Sequence, residues 1–290
     1  MRFTGLKYLQ LLACLGLFAC GSAERYDVVI VGGGASGTAA GLQAARMGAR
    51  TLIVEEFDWL GGMLTSAGVS ATDGNYRLRG GIWDEFRTEL ARHYGCDSAL
   101  ITGWVSNVLF EPSVGDSIFK RLVAREPNLT VWYRSAAETA EREKDVWRLG
   151  VRRDGRLRPV EADVLVDATE LGDVARMAGV PYDVGMDSSA VTHEDIAPAE
   201  ANGIVQDLTY VAVLKDYGRD VTIPRPDGYD PSLFACCCVN DLCIAPKEPH
   251  RMWSREMMIT YGKLPDGKYM INWPIEGNDY YVDMIDMTPE

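Results

Sequence analysis

The order of apolar and polar positions near the start of the chain predicts a strand, a helix and a second strand. Residues 28–31 (Val-Val-Ile-Val) form an unbroken apolar run, which is typical of a buried parallel strand. An alanine-rich, helix-like stretch covers residues 38–47, and a second apolar run covers residues 51–54. The pattern therefore predicts a βαβ unit.

The link between the first strand and the helix carries the spacing G-x-G-x-x-G, with glycines at positions 32, 34 and 37. Gly32 permits a tight turn, Gly34 lets the backbone approach a pyrophosphate, and Gly37 allows close packing of the helix on the strand. The start of the helix, with Ala35 and Ser36, offers N–H groups to phosphates. We therefore predict a dinucleotide site, with a glycine turn that binds no nucleotide as the alternative.

An acidic residue follows the second strand at the position that this kind of site requires. Glu55 ends the strand, where a carboxylate accepts hydrogen bonds from ribose hydroxyls. A negative charge there would repel a 2′-phosphate, so the sequence disfavours NADP.

The residues after Glu55 carry a family resemblance. Glu56 is followed by Leu-Gly-Gly-Met-Leu-Thr-Ser at residues 60–66. At this point the chain resembles the glutathione-reductase-like flavoproteins, and specifically the FAD-dependent oxidoreductases that include heterodisulfide-reductase-A-like proteins. The resemblance implies that Glu56, Gly61, Gly62 and Met63 lie at the cofactor, since a glycine pair lets a loop pass close to it. It favours FAD over NAD.

A second stretch with the same resemblance lies far along the chain. Residues 161–169 form an apolar strand that ends in Ala168 and Thr169, similar to the strand and Ala-Thr-Gly turn beside FAD in these flavoproteins. Glu170 stands where glycine is more common. An ordinary buried strand followed by a helix is the alternative for this stretch.

The intervening pattern completes the predicted fold. We expect an α/β, FAD/NAD(P)-binding Rossmann-like three-layer domain with a β-meander insertion over residues 24–183. A partial, mixed α+β substrate domain is expected over residues 184–290. The patterns predict helices from Gly80 onward and over 114–124, strands over 129–133, 137–141, 146–151 and 206–214, and a hairpin turn at Asp154-Gly155.

The first residues read as an export signal rather than as part of the fold. A short cationic end precedes an apolar run at residues 8–19, which is shorter than the roughly 20 residues that a membrane-spanning helix needs. Residues 17–20 resemble a bacterial lipobox, so we predict a signal peptide over 1–23 with cleavage before Cys20 and lipidation of that cysteine. The expected location is the periplasmic face of a bacterial membrane. An ordinary cleaved signal or a plain N-terminal anchor are the alternatives.

Composition limits the partners. The 290 residues carry a net charge of −13, whereas a nucleic-acid binder normally presents a basic face. We therefore expect a small-molecule substrate, a membrane contact through the lipid anchor and no nucleic acid. The pattern does not identify the electron acceptor.

Four of the seven cysteines lie close together, at positions 236, 237, 238 and 243. An iron–sulfur or zinc site, a redox disulfide, and structural thiols with one disulfide are the alternatives. The spacing matches neither C-x-x-C pairs nor the ferredoxin run, so a 4Fe-4S cluster is implied by the family resemblance alone. We favour the structural interpretation and predict no metal site.

Catalytic residues do not stand out. The polar candidates are scattered: His93, His193, His250, Arg79, Asp207 and Tyr210. We predict an exported FAD-dependent oxidoreductase that moves a hydride from an organic substrate to flavin, since the flavin itself carries that chemistry. The alternatives are a structural or redox-neutral flavin in a protein that acts on carbohydrate, and an inactive fragment of a longer flavoenzyme.

Overall fold

The computed structural model describes residues 23–247, 252–272 and 279–282. The predicted signal peptide, apart from Ala23, and the predicted lipidation site Cys20 lie outside these residues. Within the described ranges, no helix combines the length and apolar character needed to cross a membrane.

A six-stranded sheet forms the centre of the fold. Its strands, in chain order, are β1 (Glu24–Val31), β2 (Thr51–Val54), β3 (Leu129–Trp132), β4 (Ser135–Glu143), β5 (Val146–Arg153) and β6 (Arg156–Asp167). The order across the sheet is β3-β2-β1-β6-β5-β4. The strands β3, β2, β1 and β6 pair in parallel, whereas β5 pairs antiparallel with both β6 and β4. The carboxyl ends of β1, β2 and β6 therefore meet at one edge.

Three long helices supply the first apolar layer: α1 (Ala35–Arg46), α2 (Gly81–Tyr94) and α3 (Pro112–Ala124). Their buried side chains form one core around Phe86, whose ring stacks on Phe119 at 4.3 Å and meets Phe110 edge-on at 5.5 Å. Proline opens α3, and α2 ends at Gly95 in the left-handed region (φ +96°), a common helix-ending conformation.

The antiparallel strands supply a second apolar layer. A separate core joins Val29 and Leu52 of the parallel strands to Ala140, Leu149 and Val151 of β4 and β5. Side chains of the meander therefore pack on side chains of the parallel strands, although the meander continues the same sheet. The parallel strands are thus covered by the helical core and by this second core, as is typical of parallel strands. The predicted three-layer α/β class and the meander are confirmed. The predicted turn is confirmed too, with Asp154 and Gly155 both at positive φ between β5 and β6.

The rest of the described chain forms short elements. They are α4 (Asp173–Met177), α5 (Ser189–Thr192), β7 (Leu208–Thr209), β8 (Ala212–Lys215), α6 (Arg255–Thr260), β9 (Gly262–Leu264), β10 (Lys268–Ile271) and β11 (Asp279–Tyr280). The single strand predicted over 206–214 is wrong, because β7 pairs with β11 whereas β8 pairs with β10 in another sheet. The domain boundary at residue 183 stays a prediction.

Replacing Phe110 tests the helical core. Phe110 is fully buried, so we expect Phe110→Ala to lower the free energy of unfolding by about 3–5 kcal/mol through the cavity it leaves. The exposed Phe57 is the matched control, and Phe57→Ala should change stability by no more than about 0.5 kcal/mol. Urea unfolding followed by circular dichroism measures both, and equal losses would contradict this description of the core.

Candidate functional site

The glycine turn lies where the strand β1 meets the helix α1. Gly32 has φ +100°, and a Cβ atom there would overlap the Ala168 carbonyl. A Cβ on Gly37 would overlap the Gly32 carbonyl. Both positions therefore need glycine, because the first lets the chain turn and the second brings α1 against the ends of β1 and β6.

The N-terminus of α1 presents free backbone to the site. Gly34 is the residue that caps the helix, no side chain accepts a hydrogen bond at the cap, and the first turn contains no acidic residue. A Cβ placed on Gly34 would have one neighbour within 4 Å, the Oε1 atom of Glu170 at 3.4 Å. Ala35 and Ser36 begin the helix and are exposed. The helix end is therefore open to an anionic group.

Glu55 is buried beside this turn, with 8% of its surface exposed. Its Oε2 accepts a hydrogen bond from the Gly33 N–H at 2.6 Å, and its Oε1 accepts one from the Phe57 N–H at 2.8 Å. Burial raises the pKa of the Glu55 carboxyl, and the two N–H groups oppose that rise. The carboxylate thus lies at the end of β2, as predicted.

The Gly61–Gly62 pair packs directly against the glycine turn. The Gly61 N–H donates to the Gly33 carbonyl at 2.9 Å, so the two loops run side by side. Gly61 and Gly62 both have positive φ, at +106° and +51°. A Cβ on Gly62 would lie 3.0 Å from the Gly34 Cα. The structure therefore brings together two motifs that are distant in the sequence.

Asp116 holds the glycine pair in place, and sequence reasoning missed it. Its Oδ1 accepts the Leu60 N–H at 2.9 Å, and its Oδ2 pairs with Lys120 at 2.8 Å. The Thr65 hydroxyl donates to the Leu60 carbonyl at 2.6 Å. The signal was a charged residue on the apolar side of a helix, since Asp116 lies three residues before Phe119 and seven before Val123, which are both buried.

The end of β6 completes the edge. The Ala168 N–H donates to the Val31 carbonyl at 2.8 Å, which places Ala168 beside the glycine turn. The N–H and hydroxyl of Thr169 both donate to Asp167, and the Thr169 hydroxyl accepts the Asp173 N–H. Thr169 therefore fixes the turn into α4.

Three residues near the glycine turn have exposed side chains: Glu56, Met63 and Glu170. Met63 lies in the short 3₁₀ turn Gly62–Leu64 with 62% of its surface exposed, and Glu56 is exposed next to Glu55. Glu170 is exposed as well, and its Oε1 lies 3.2 Å from where a Cβ on Gly62 would stand. The departure from the usual Ala-Thr-Gly turn thus places a carboxylate beside the glycine loops.

The scattered polar candidates lie elsewhere. Arg79 pairs with Asp84, and the ring of His93 meets Tyr94 edge-on. His193 and Tyr210 are exposed, Asp207 precedes β7, and His250 lies outside the described residues. A catalytic role for any of them stays a prediction. Among the described residues, no group of three or more His, Cys, Asp or Glu side chains has the geometry to hold a metal ion.

The donors and spaces at this edge fit FAD. The uncapped N-terminus of α1 can donate hydrogen bonds to a pyrophosphate. The space beside Gly34 is open to the cofactor, and the side chain of a larger residue at this position would fill it. Glu55 keeps acceptor capacity beyond its two N–H partners, which ribose hydroxyls can use. The structure thus brings the predicted glycines and Glu55 together at one edge, and their contact with a nucleotide stays a prediction.

Comparison with known proteins identifies the family. The chain matches the family described as FAD dependent oxidoreductase over residues 27–290, and it belongs to this family. The resemblance seen in the sequence is confirmed, and FAD is the cofactor of the family.

Individual relatives overlap only part of the chain. An NADH:fumarate oxidoreductase of Klebsiella pneumoniae (strain 342) is 44% identical over 63 residues, which cover 21% of this chain and 7% of that protein. A geranylgeranyl bacteriochlorophyll reductase-like protein of Thermoplasma acidophilum has a TM-score of 0.40 and 20% identity, over 57% of this chain and 45% of that one. The flavin-dependent monooxygenase PieE, solved with FAD and substrate, has a TM-score of 0.38 and 17% identity, over 56% and 33%. The chain thus spans less than half of these proteins.

A substitution at Gly34 separates cofactor binding from folding. Gly34 has φ −58°, which any residue adopts, and its Cβ position is open. We expect Gly34→Ala to keep the melting temperature while weakening FAD binding by about tenfold or more, because the methyl group occupies the approach to the pyrophosphate. Gly203, which also has open space, provides the control Gly203→Ala. Fluorescence titration with FAD measures both, and unchanged affinity in Gly34→Ala would contradict the assignment.

From the raised pKa of Glu55 we predict that the free energy of unfolding and the affinity for FAD change with pH in opposite directions. Because burial raises this pKa in the folded protein, the folded state binds the proton more tightly than the unfolded state. The free energy of unfolding should therefore fall as pH rises from the ordinary carboxyl range through the raised pKa. FAD affinity should rise over the same interval, since the ionised carboxylate is the stronger acceptor for ribose hydroxyls.

Denaturant unfolding and FAD titration across this pH interval measure the two effects. In Glu55→Gln both slopes should flatten, whereas the exposed Glu141→Gln control should keep both. A Glu55→Gln variant with the slopes of the unsubstituted protein would show that another group is responsible.

Proposed function

We propose that the protein is an FAD-dependent oxidoreductase that takes a hydride from a small organic substrate. The observation that carries the proposal is the meeting of the glycine turn, the glycine pair and Glu55 at one edge of the parallel sheet. In open α/β sheets, nucleotides bind at the carboxyl ends of the strands.

FAD, when bound, supplies the ring that exchanges a hydride with the substrate. The chain's own residues bind and orient the nucleotide portion. The start of α1 holds the pyrophosphate through its N–H groups and its dipole, while Glu55 accepts the ribose hydroxyls. The absence of a side chain on Gly61 lets the loop pack on Phe119 and Thr65, and its absence on Gly62 lets the loop approach Gly34 at the helix end.

The negative charge at the ribose end supports FAD over NADP. Glu55 and Glu56 are adjacent carboxylates at the end of β2, and Glu56 raises the pKa of Glu55 by repulsion. A 2′-phosphate placed there would meet the same repulsion. The proposal therefore takes a ribose with free hydroxyls at this position.

Export forms a second part of the proposal. The apolar run at residues 8–19 and the lipobox-like residues before Cys20 support synthesis as a lipoprotein that is anchored to a bacterial membrane and faces the periplasm. The membrane contact then comes from the lipid rather than from the folded domain.

A flavin spectrum followed by anaerobic reduction tests the enzymatic proposal. Purified protein mixed with FAD and freed of excess cofactor should keep the visible flavin absorbance, and Gly34→Ala should retain far less. Candidate reductants are then added without oxygen, including NADH, with fumarate as one acceptor, because the Klebsiella relative is named for that pair.

Loss of the flavin absorbance on adding an organic substrate, and its return with an acceptor, would support hydride transfer. Product formed without any loss of absorbance would instead indicate a redox-neutral flavin and overturn the proposal. Failure of the folded protein to retain FAD would overturn the cofactor assignment itself.

A further inference from the structure

A compact loop of cysteines lies outside the nucleotide site. It follows the short 3₁₀ helix Pro231–Phe234 and contains four cysteines in eight residues. Cys236 and Cys243 form a disulfide with Cα atoms 4.8 Å apart, whereas Cys237 and Cys238 are free thiols. The single disulfide agrees with the structural interpretation of the sequence, but it leaves two thiols beside a disulfide without an assigned role.

The cysteines of this loop are close together in the chain, and three of them are partly exposed. Cys237 and Cys238 directly follow Cys236, and Cys238 is buried with 8% of its surface exposed. Cys236, Cys237 and Cys243 are only partly buried. Two thiols of the same loop therefore lie next to the disulfide in the chain, and a small molecule can approach the partly exposed Cys236 and Cys243.

The loop backbone is held by contacts other than the disulfide. The Asn240 amide donates to the carbonyls of Ala235 and Cys238, at 2.6 and 2.8 Å, and its oxygen accepts the Leu242 N–H. The Val239 N–H donates to the Trp253 carbonyl at 2.8 Å, which ties the loop to the neighbouring segment. Opening the disulfide thus leaves the loop in place.

We propose that this loop is a thiol–disulfide exchange site for small thiols. The thiolate of the small molecule attacks the sulfur of Cys243; the Cys236–Cys243 bond breaks, and Cys236 leaves with the electron pair and takes up a proton. The thiolate of Cys237 or Cys238 then attacks the sulfur of Cys243 and expels the small thiolate. The disulfide has moved within the loop, and the small thiol is regenerated.

Loop closure supports the exchange. The alternative disulfides close loops of nearly the same length as the one observed, so their closure entropies differ little. Burial and the adjacent Cys238 raise the pKa of the Cys237 thiol, so its thiolate is scarce near neutral pH and we expect the exchange to become faster as pH rises. The exchange requires no flavin, and its test is therefore independent of FAD binding.

Differential labelling of the full chain tests the proposal. The protein is incubated with reduced glutathione and quenched with acid, and its free thiols are blocked with N-ethylmaleimide. After reduction, the released thiols receive iodoacetamide, and fragment ions from mass spectrometry locate each label. Before incubation the second label should lie on Cys236 and Cys243. After incubation Cys243 should keep it, while the label on Cys236 passes in part to Cys237 or Cys238.

Two outcomes would overturn the proposal: a second label confined to Cys236 and Cys243, or its loss from both residues together through simple reduction. In a Cys237→Ser, Cys238→Ser double variant, we expect about tenfold more glutathione bound to Cys243 than in the unsubstituted protein, because no thiol resolves the mixed disulfide. Cys96, an exposed free thiol elsewhere, provides the control Cys96→Ser, which should leave the pattern unchanged. If the double variant does not fold, the labelling of the unsubstituted protein decides the question.

Discussion

The hydrogen bond from the Gly33 N–H to the Glu55 carboxylate is the contact on which the rest of the site depends. It joins the ends of two parallel strands at a buried position, at 2.6 Å. Burying a carboxylate is costly unless donors compensate, and here two backbone N–H groups do so. The carbonyl of the same Gly33 accepts the Gly61 N–H and the Thr38 hydroxyl. One residue thus orients the Glu55 carboxylate, the glycine pair and the first turn of α1.

Opposing charges shape the same edge. The start of α1 carries the positive end of a helix dipole and no acidic side chain in its first turn. Glu170 nevertheless lies beside Gly34 and Gly62, and it also raises the pKa of Glu55. An anion bound at the helix end would therefore sit between an attractive dipole and a repulsive carboxylate. The backbone donors are fixed, whereas the exposed Glu170 side chain is the part that can rotate away.

Local sequence signals predicted much of this arrangement. The glycine spacing and Glu55 are determined by short-range geometry, so the βαβ unit and its turn were predictable from residues 28–55. The role of Asp116 was not, because its partner, the Leu60 N–H, is 56 residues away in the chain, and a charge on the apolar side of a helix does not identify that partner. The prediction of a single strand over 206–214 was wrong for a related reason, since long-range pairing places its two halves in different sheets. Likewise, three consecutive cysteines give no spacing from which a partner for Cys243 follows.

The loop between Glu55 and Gly61 has a consequence for how the family can vary. Both of its ends are fixed to the same residue, because Glu55 accepts from the N–H of Gly33 and Gly61 donates to its carbonyl. The five residues between them form a loop that is closed at its base, like the loop of a hairpin. Residues added or removed at the exposed Asp58, which follows the Phe57 N–H that Glu55 needs, would change the loop without displacing its anchors. This stretch is accordingly a place where related chains can differ in length while keeping both contacts with Gly33.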